Sequence, residues 1–60
     1  MNNLKRIMDE KKVDVLSMAE RTGYSKRAIY DWINGASIPG LYAARVAADY
    51  LGVNDKEIWQ

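Results

Sequence analysis

Cysteine and histidine are both missing from the 60 residues. Without them there is no disulfide framework, no thiolate nucleophile, no histidine triad and no ordinary zinc site. Only carboxylate, lysine or tyrosine chemistry is left for catalysis, so the sequence argues against an enzyme and implies neither a resident metal nor a cofactor. Long apolar runs are missing too. None approaches the roughly 20 residues of a membrane span. The opening Met1-Asn2-Asn3-Leu4-Lys5-Arg6 leads into Ile7-Met8-Asp9-Glu10 rather than the apolar stretch of a secretory signal. A cytoplasmic chain without membrane association is the expectation. Internal repeats, low-complexity tracts and linkers are equally lacking, and Pro39 is the single proline.

What the chain does contain fits one small domain spanning 1–60. Apolar residues make up 48% and charged residues 28%, the balance of a globular domain rather than a disordered one. A domain of this size hides only about 60% of its unfolded surface, so it must be built from local contacts. The net charge of +1 conceals an asymmetry. Residues 1–30 hold seven basic and four acidic side chains, for +3, and residues 31–60 hold two against four, for −2.

Helical periodicity runs throughout. Leu4, Ile7, Met8 and Lys11 follow at spacings of three and four behind Asn2 or Asn3 as a cap, and this first helix is expected to end near Lys12. Asp14 caps a two-turn second helix carrying Val15 or Leu16, Met18, Ala19 and Thr22, which Gly23 closes. Ser25 caps a third that Asn34-Gly35 stops. Ala36 to Gly40 reads as a loop, because Pro39 disfavours a helical Ile38. A fourth helix covers Leu41 to Leu51, with Leu41, Ala44, Ala47, Ala48 and Leu51 as its core stripe and Gly52 at its end. Asn54 with Glu57 makes a capping box for a last turn carrying Ile58 and Trp59. The fold class is therefore all-α, a compact bundle of four to five short helices held together by tertiary packing.

The third helix separates its chemistry by face. With Arg27 at zero and about 100° per residue, Lys26, Tyr30, Asn34 and Asp31 occupy one side, and Ala28, Ile29, Trp32 and Ile33 occupy the other. An ordinary amphipathic surface helix shows the same division. Here the polar side holds two cations, a phenol and an amide, all donors suited to base edges and phosphates. Ser25 and the free backbone N–H groups behind it can seat a phosphate oxygen. Trp32, which would otherwise invite a stacking role with single strands, falls on the apolar side and reads as core.

A two-turn helix, a turn at Gly23-Tyr24 and a second helix with a polar outer face form a helix-turn-helix pattern. Residues 14–35, Asp-Val-Leu-Ser-Met-Ala-Glu-Arg-Thr-Gly-Tyr-Ser-Lys-Arg-Ala-Ile-Tyr-Asp-Trp-Ile-Asn-Gly, resemble the helix-turn-helix of Cro/C1-type, lambda-repressor-like DNA-binding domains. Ala19, Gly23, Ser25, Ile29 and Asn34-Gly35 match its close-contact, turn, cap, core and helix-end positions, and Pro39, Leu41, Ala48 and Leu51-Gly52-Val53 extend the match over nearly the whole chain. Departures are equally specific. Val15 stands where a phosphate-binding glutamine is frequent, Thr22 where an aliphatic residue is usual, and Lys12 where glycine is common. Met8 and Ile33 occupy positions that often hold an Arg–Glu pair.

The resemblance implies major-groove binding of double-stranded DNA by a transcription regulator. Lys26, Arg27, Tyr30 and Asp31 would face base edges, and Ser25, Asn34, Gly35 and Ser37 would hold phosphates. Lys5, Arg6, Lys11 and Lys12 would add long-range attraction or simply form a solvated helix face. Family members pair through the C-terminal region, so Tyr42, Val46, Tyr50, Ile58 and Trp59 are homodimer-interface candidates. An internal contact of the fourth helix with Trp59 explains the same apolar surface. The expected function is repression from a pseudo-palindromic operator bound as a dimer. A protein-interaction module, such as an antirepressor that keeps the fold without specific DNA binding, is the alternative, with a protein partner in place of DNA. Neither reading calls for a small-molecule ligand, and control is expected through concentration, turnover or a partner.

Overall fold

The computed structural model describes residues 2–59, which form five helices and no strand. They are α1 Leu4–Lys11, α2 Val15–Thr22, α3 Lys26–Asn34, α4 Leu41–Leu51 and α5 Asp55–Ile58.

Each boundary has a local cause. At the start of α1, Asn3 holds the cap position without a side-chain cap bond, and the Leu4 N–H instead donates to the side-chain oxygen of Asn2 at 2.9 Å. The Asn2 amide also donates to the backbone oxygen of Trp32 at 2.7 Å, so the chain start is fastened to the last turn of α3. α1 ends on Lys12, the one non-glycine residue with positive φ among those described (φ 59°). Its N–H bonds the Asp9 oxygen, and the Val13 N–H bonds that of Met8. A left-handed residue with a Cβ costs about 1 kcal/mol relative to glycine.

Asp14 caps α2 by accepting the Ser17 N–H at 2.8 Å, and those hydrogen bonds, foremost the backbone one, hold its carboxyl below the usual carboxylate range. Thr22 fits an aliphatic position because its hydroxyl is satisfied locally. It donates to the Met18 oxygen at 2.6 Å and accepts from the Tyr24 N–H at 3.3 Å. Asn54 and Glu57 form the expected capping box at α5.

Leu4, Ile7 and Met8 of α1, Met18 of α2, Ile29 and Trp32 of α3, and Ile58 of α5 meet four alanines and Leu51 of α4 in the core. α2 packs on α3 and α4, α4 on α5, and α1 touches α3 and α4. The alanines let α4 approach its neighbours closely. Val15, not Leu16, is the residue that α2 turns toward the core. On α4 the expected stripe needs correcting: Leu41 is 69% exposed, and Ala43 is buried. Leu41 stands at the first helical position, and the buried arc is displaced toward Ala43. Met8 is buried and Ile33 packs against the same cluster, so apolar burial occupies the two positions where the resemblance implies an ion pair.

Candidate nucleic-acid interface

α2 and α3 are joined by Gly23, Tyr24 and Ser25. Gly23 takes φ 81° and donates to the Ala19 oxygen, a left-handed turn that a side chain would strain. Tyr24 follows half-buried, its ring edge-on to Trp32 with centroids 5.3 Å apart. Trp32 also meets Trp59 edge-on at 6.2 Å. The buried Trp32 indole thus meets an aromatic ring from the turn and another from beyond α5, contacts that help fix the roll of α3.

With Ile29 and Trp32 turned inward, Lys26, Arg27, Tyr30 and Asn34 stand exposed on the other side of α3, as the periodicity requires. Asp31 is half-buried at the edge of that face, its carboxylate 3.7 Å from Arg27 Nε. Ser25 caps α3 by accepting the Ala28 N–H at 3.1 Å, which leaves its hydroxyl proton and the N–H groups of Lys26 and Arg27 without a partner inside the helix.

The end of α3 is less open than the sequence suggests. Gly35 donates to the Trp32 oxygen, and Ala36 and Ser37 both donate to that of Asp31. Gly35, expected to hold a phosphate through its N–H, has that donor engaged in terminating the helix. The donors left at this end are the Asn34 amide and the Ser37 hydroxyl, on exposed residues.

Charge is distributed less evenly than the count of basic residues implies. Lys5 pairs with Asp9 at 2.7 Å and Arg6 with Glu10 at 3.0 Å, both one turn apart on the surface of α1. Lys11, Lys12, Arg21 and Lys26 make no ion pair with the described residues. An open groove of about 600 Å³ lies beside the outer face of α3, lined by Lys26 and Tyr30 of α3, by Lys12 and Asp14 from the link between α1 and α2, and by Val15 and Leu16 among its apolar residues. Leu16, half exposed in this groove, and Lys12 are the two contributions that helical periodicity alone does not single out. The groove forms only when the exit of α1, the entry of α2 and the face of α3 are brought together.

The five dimer-interface candidates divide. Tyr42 is 77% exposed, Val46 is half-buried, and Tyr50 is half-buried and packed on the core. Ile58 is fully buried within its own chain, a correction to its expected place on an interface: α5 folds it under α4, and no surface is left to offer. Trp59 is half-buried on Trp32, with its Nε1 buried and without a hydrogen-bond partner among the described residues. Trp59 thus packs on Trp32 of α3, while α4 is met by the α5 turn that carries Ile58.

Among the described residues there is no group of three or more His, Cys, Asp or Glu side chains placed to hold a metal, and no helix long and apolar enough to cross a membrane. No curated protein matches the chain. The family described as Helix-turn-helix matches residues 4–58, which takes in all five helices. The chain thus belongs to the Cro/C1-type helix-turn-helix family of DNA-binding regulatory domains.

Proposed function

We propose that the chain, as one domain over 1–60, binds double-stranded DNA sequence-specifically by inserting α3 into the major groove and represses transcription from the site it occupies. The observation that carries this reading is the face of α3. Lys26, Arg27 and Tyr30 are exposed together while Ile29 and Trp32 anchor the helix from behind, so the polar side chains project from a rigid support. Arg27 and Lys26 suit guanine, whose O6 and N7 accept together. Each good bidentate pair is worth about 1–3 kcal/mol of discrimination. Tyr30 reaches a thymine methyl or a phosphate, and Asp31 orients Arg27 or accepts from a cytosine N4. Ser25, Asn34 and Ser37 bind phosphates on either side.

The operator would be a pseudo-palindrome read by two copies, with half-sites about 34–36 Å apart. Tyr42 and Val46, with the outer edge of Tyr50, are the surface proposed for pairing. Selection of sites from a random duplex library tests the reading directly. Enrichment of an inverted repeat with salt-sensitive affinity supports it, and a folded chain that enriches nothing overturns it.

A second reading has its own support. Ile38, Leu41 and Tyr42 are all exposed on the segment that leaves α3 and opens α4, apolar surface suited to a protein partner such as a repressor. Under that reading, capture of a partner is sensitive to Tyr42→Glu and indifferent to Arg27→Ala.

A further inference from the structure

A basic residue is followed four positions later by an acidic one at four places in the chain: Lys5 and Asp9, Arg6 and Glu10, Arg27 and Asp31, and Arg45 and Asp49. The first three close into ion pairs at 2.7, 3.0 and 3.7 Å. Arg45 and Asp49 share the spacing and the order along a helix, and both are exposed, yet neither pairs with the other or with any other described residue. Their place on α4 gives these two charges a context. With Tyr42 at zero and about 100° per residue, Asp49 falls at about 340° and Arg45 at about 300°, while Val46 and Tyr50 fall at about 40° and 80°. The inward arc is taken by Ala43, Ala44, Ala47, Ala48 and Leu51. Arg45 and Asp49 therefore run along one flank of the outward Tyr42, Val46, Tyr50 stripe, the position from which charged side chains set partner and orientation when two helices pair.

We propose that two copies of the chain pack α4 against α4 in antiparallel order, and that Arg45 of each copy pairs with Asp49 of the other. A contact between two copies presents the same patch from both sides, so its charges must complement themselves. One acid and one base on the same flank of α4 meet that requirement. An antiparallel pair centred between positions 46 and 47 brings Arg45 level with Asp49 of the second copy, and Tyr42 level with Tyr50 of the second copy, each within about 1.5 Å, one residue's rise. The two-fold axis keeps both charged flanks on the same side, so two cross-pairs form together. In a parallel pair like charges would come level instead. The assignment rests on the pairing reading above and adds to it the charge order by which α4 selects a second copy of this chain over another apolar helix.

The test exchanges the charges and follows association by sedimentation over a range of concentrations, with one chain of each mixture fluorescently labelled and every chain melted separately to check its fold. Arg45→Asp and Asp49→Arg each put two like charges on the flank, and each variant alone should self-associate about tenfold or more weakly than the unsubstituted chain. Their equimolar mixture should recover pairing, because one chain then offers two acids and the other two bases. A chain with both exchanges should pair with itself as the unsubstituted chain does, and should pair poorly with the unsubstituted chain. Both positions are exposed, so the core is left alone. If a single variant melts early, the doubly exchanged chain decides the matter by itself. Single variants that associate like the unsubstituted chain overturn the cross-pair, and if Tyr42→Glu still dissociates the chain, the pairing surface stands without it. Weakened single variants whose mixture does not recover overturn it as well, because the charges then act on something other than each other, such as a different protein. An unsubstituted chain that stays monomeric at every concentration overturns the pairing reading, and the assignment falls with it.

Discussion

Arg27 and Asp31 stand one helical turn apart on α3 with the guanidinium Nε 3.7 Å from the carboxylate, the arginine exposed and the aspartate half-buried. A surface pair of this kind adds little to stability. In the proposed DNA-reading role its value would lie in orientation, the carboxylate favouring some directions of the guanidinium over others. Arg27→Ala should weaken binding and relax the preference at one base pair by about 1–3 kcal/mol. Asp31→Asn, which removes a negative charge from the surface proposed to face DNA, should hold or raise affinity while blurring the same preference. Titration against a panel of duplexes substituted one base pair at a time checks both. If Asp31→Asn instead relaxes the preference at a different base pair from Arg27→Ala, Asp31 itself reads a base.

Asn34, at the other end of the helix, should behave differently. Asn34→Ala removes a proposed phosphate donor and should weaken binding by a similar factor across every duplex in that panel. A loss confined to one position would make it a base reader.

Self-association should depend on exposed residues of α4 and not on α5. Tyr42→Glu places a charge on the most exposed part of the proposed pairing surface, leaves the core untouched, and should abolish dimer formation in sedimentation at high concentration. An unchanged distribution of species would remove Tyr42 from the interface. Ile58→Ala acts through folding instead. Deleting this fully buried side chain should cost about 2–5 kcal/mol, a large share of the roughly 3–9 kcal/mol available to a chain of this length.

The cap of α2 gives a signed dependence on pH. Asp14 has its folded-state pKa lowered by the hydrogen bonds from Ser17, so its contribution is present above the unfolded carboxylate value and is lost as pH falls through the folded one. Asp14→Asn retains an oxygen that can accept the Ser17 N–H but cannot ionise. Thermal melts should therefore show the unsubstituted chain ahead near neutral pH, with the difference shrinking under acid. A gap that stays constant to about pH 2 would rule out ionised Asp14 as its source.

The parts of the fold written in short-range chemistry were readable in advance. Asp14, Ser25 and Asn54 cap the helices they were expected to cap, and Gly23, Gly35 and Gly52 end the expected helices in left-handed geometry. The inner and outer faces of α3 follow from periodicity because nine residues of strongly divided polarity leave one way to bury it. α4 was harder. Its circumference is apolar on two sides, and a helix of small residues does not announce which alanine faces inward, so Leu41 and Ala43 exchanged places. Ile58 was ambiguous for another reason. A four-residue turn has no periodicity of its own, and only the packing of α5 under α4 decides that its isoleucine is interior. The groove at Lys12 was invisible as a groove, since it joins three segments that meet only after folding.

The hydrogen bonds at the start of the chain have a consequence for its topology. The Asn3 N–H reaches the Ile58 oxygen at 2.9 Å, and the Asn3 amide reaches that of Glu57 at 2.9 Å, so positions 55 residues apart along the chain are held side by side. The path from Asn3 to Ile58 is already a closed ring in all but the covalent sense. Joining the two sites through a short linker and opening the chain within the exposed segment around Ser37 and Ile38 would give a circular permutant with the same five helices and the same α3 face, in which α4 rather than α1 begins the polypeptide.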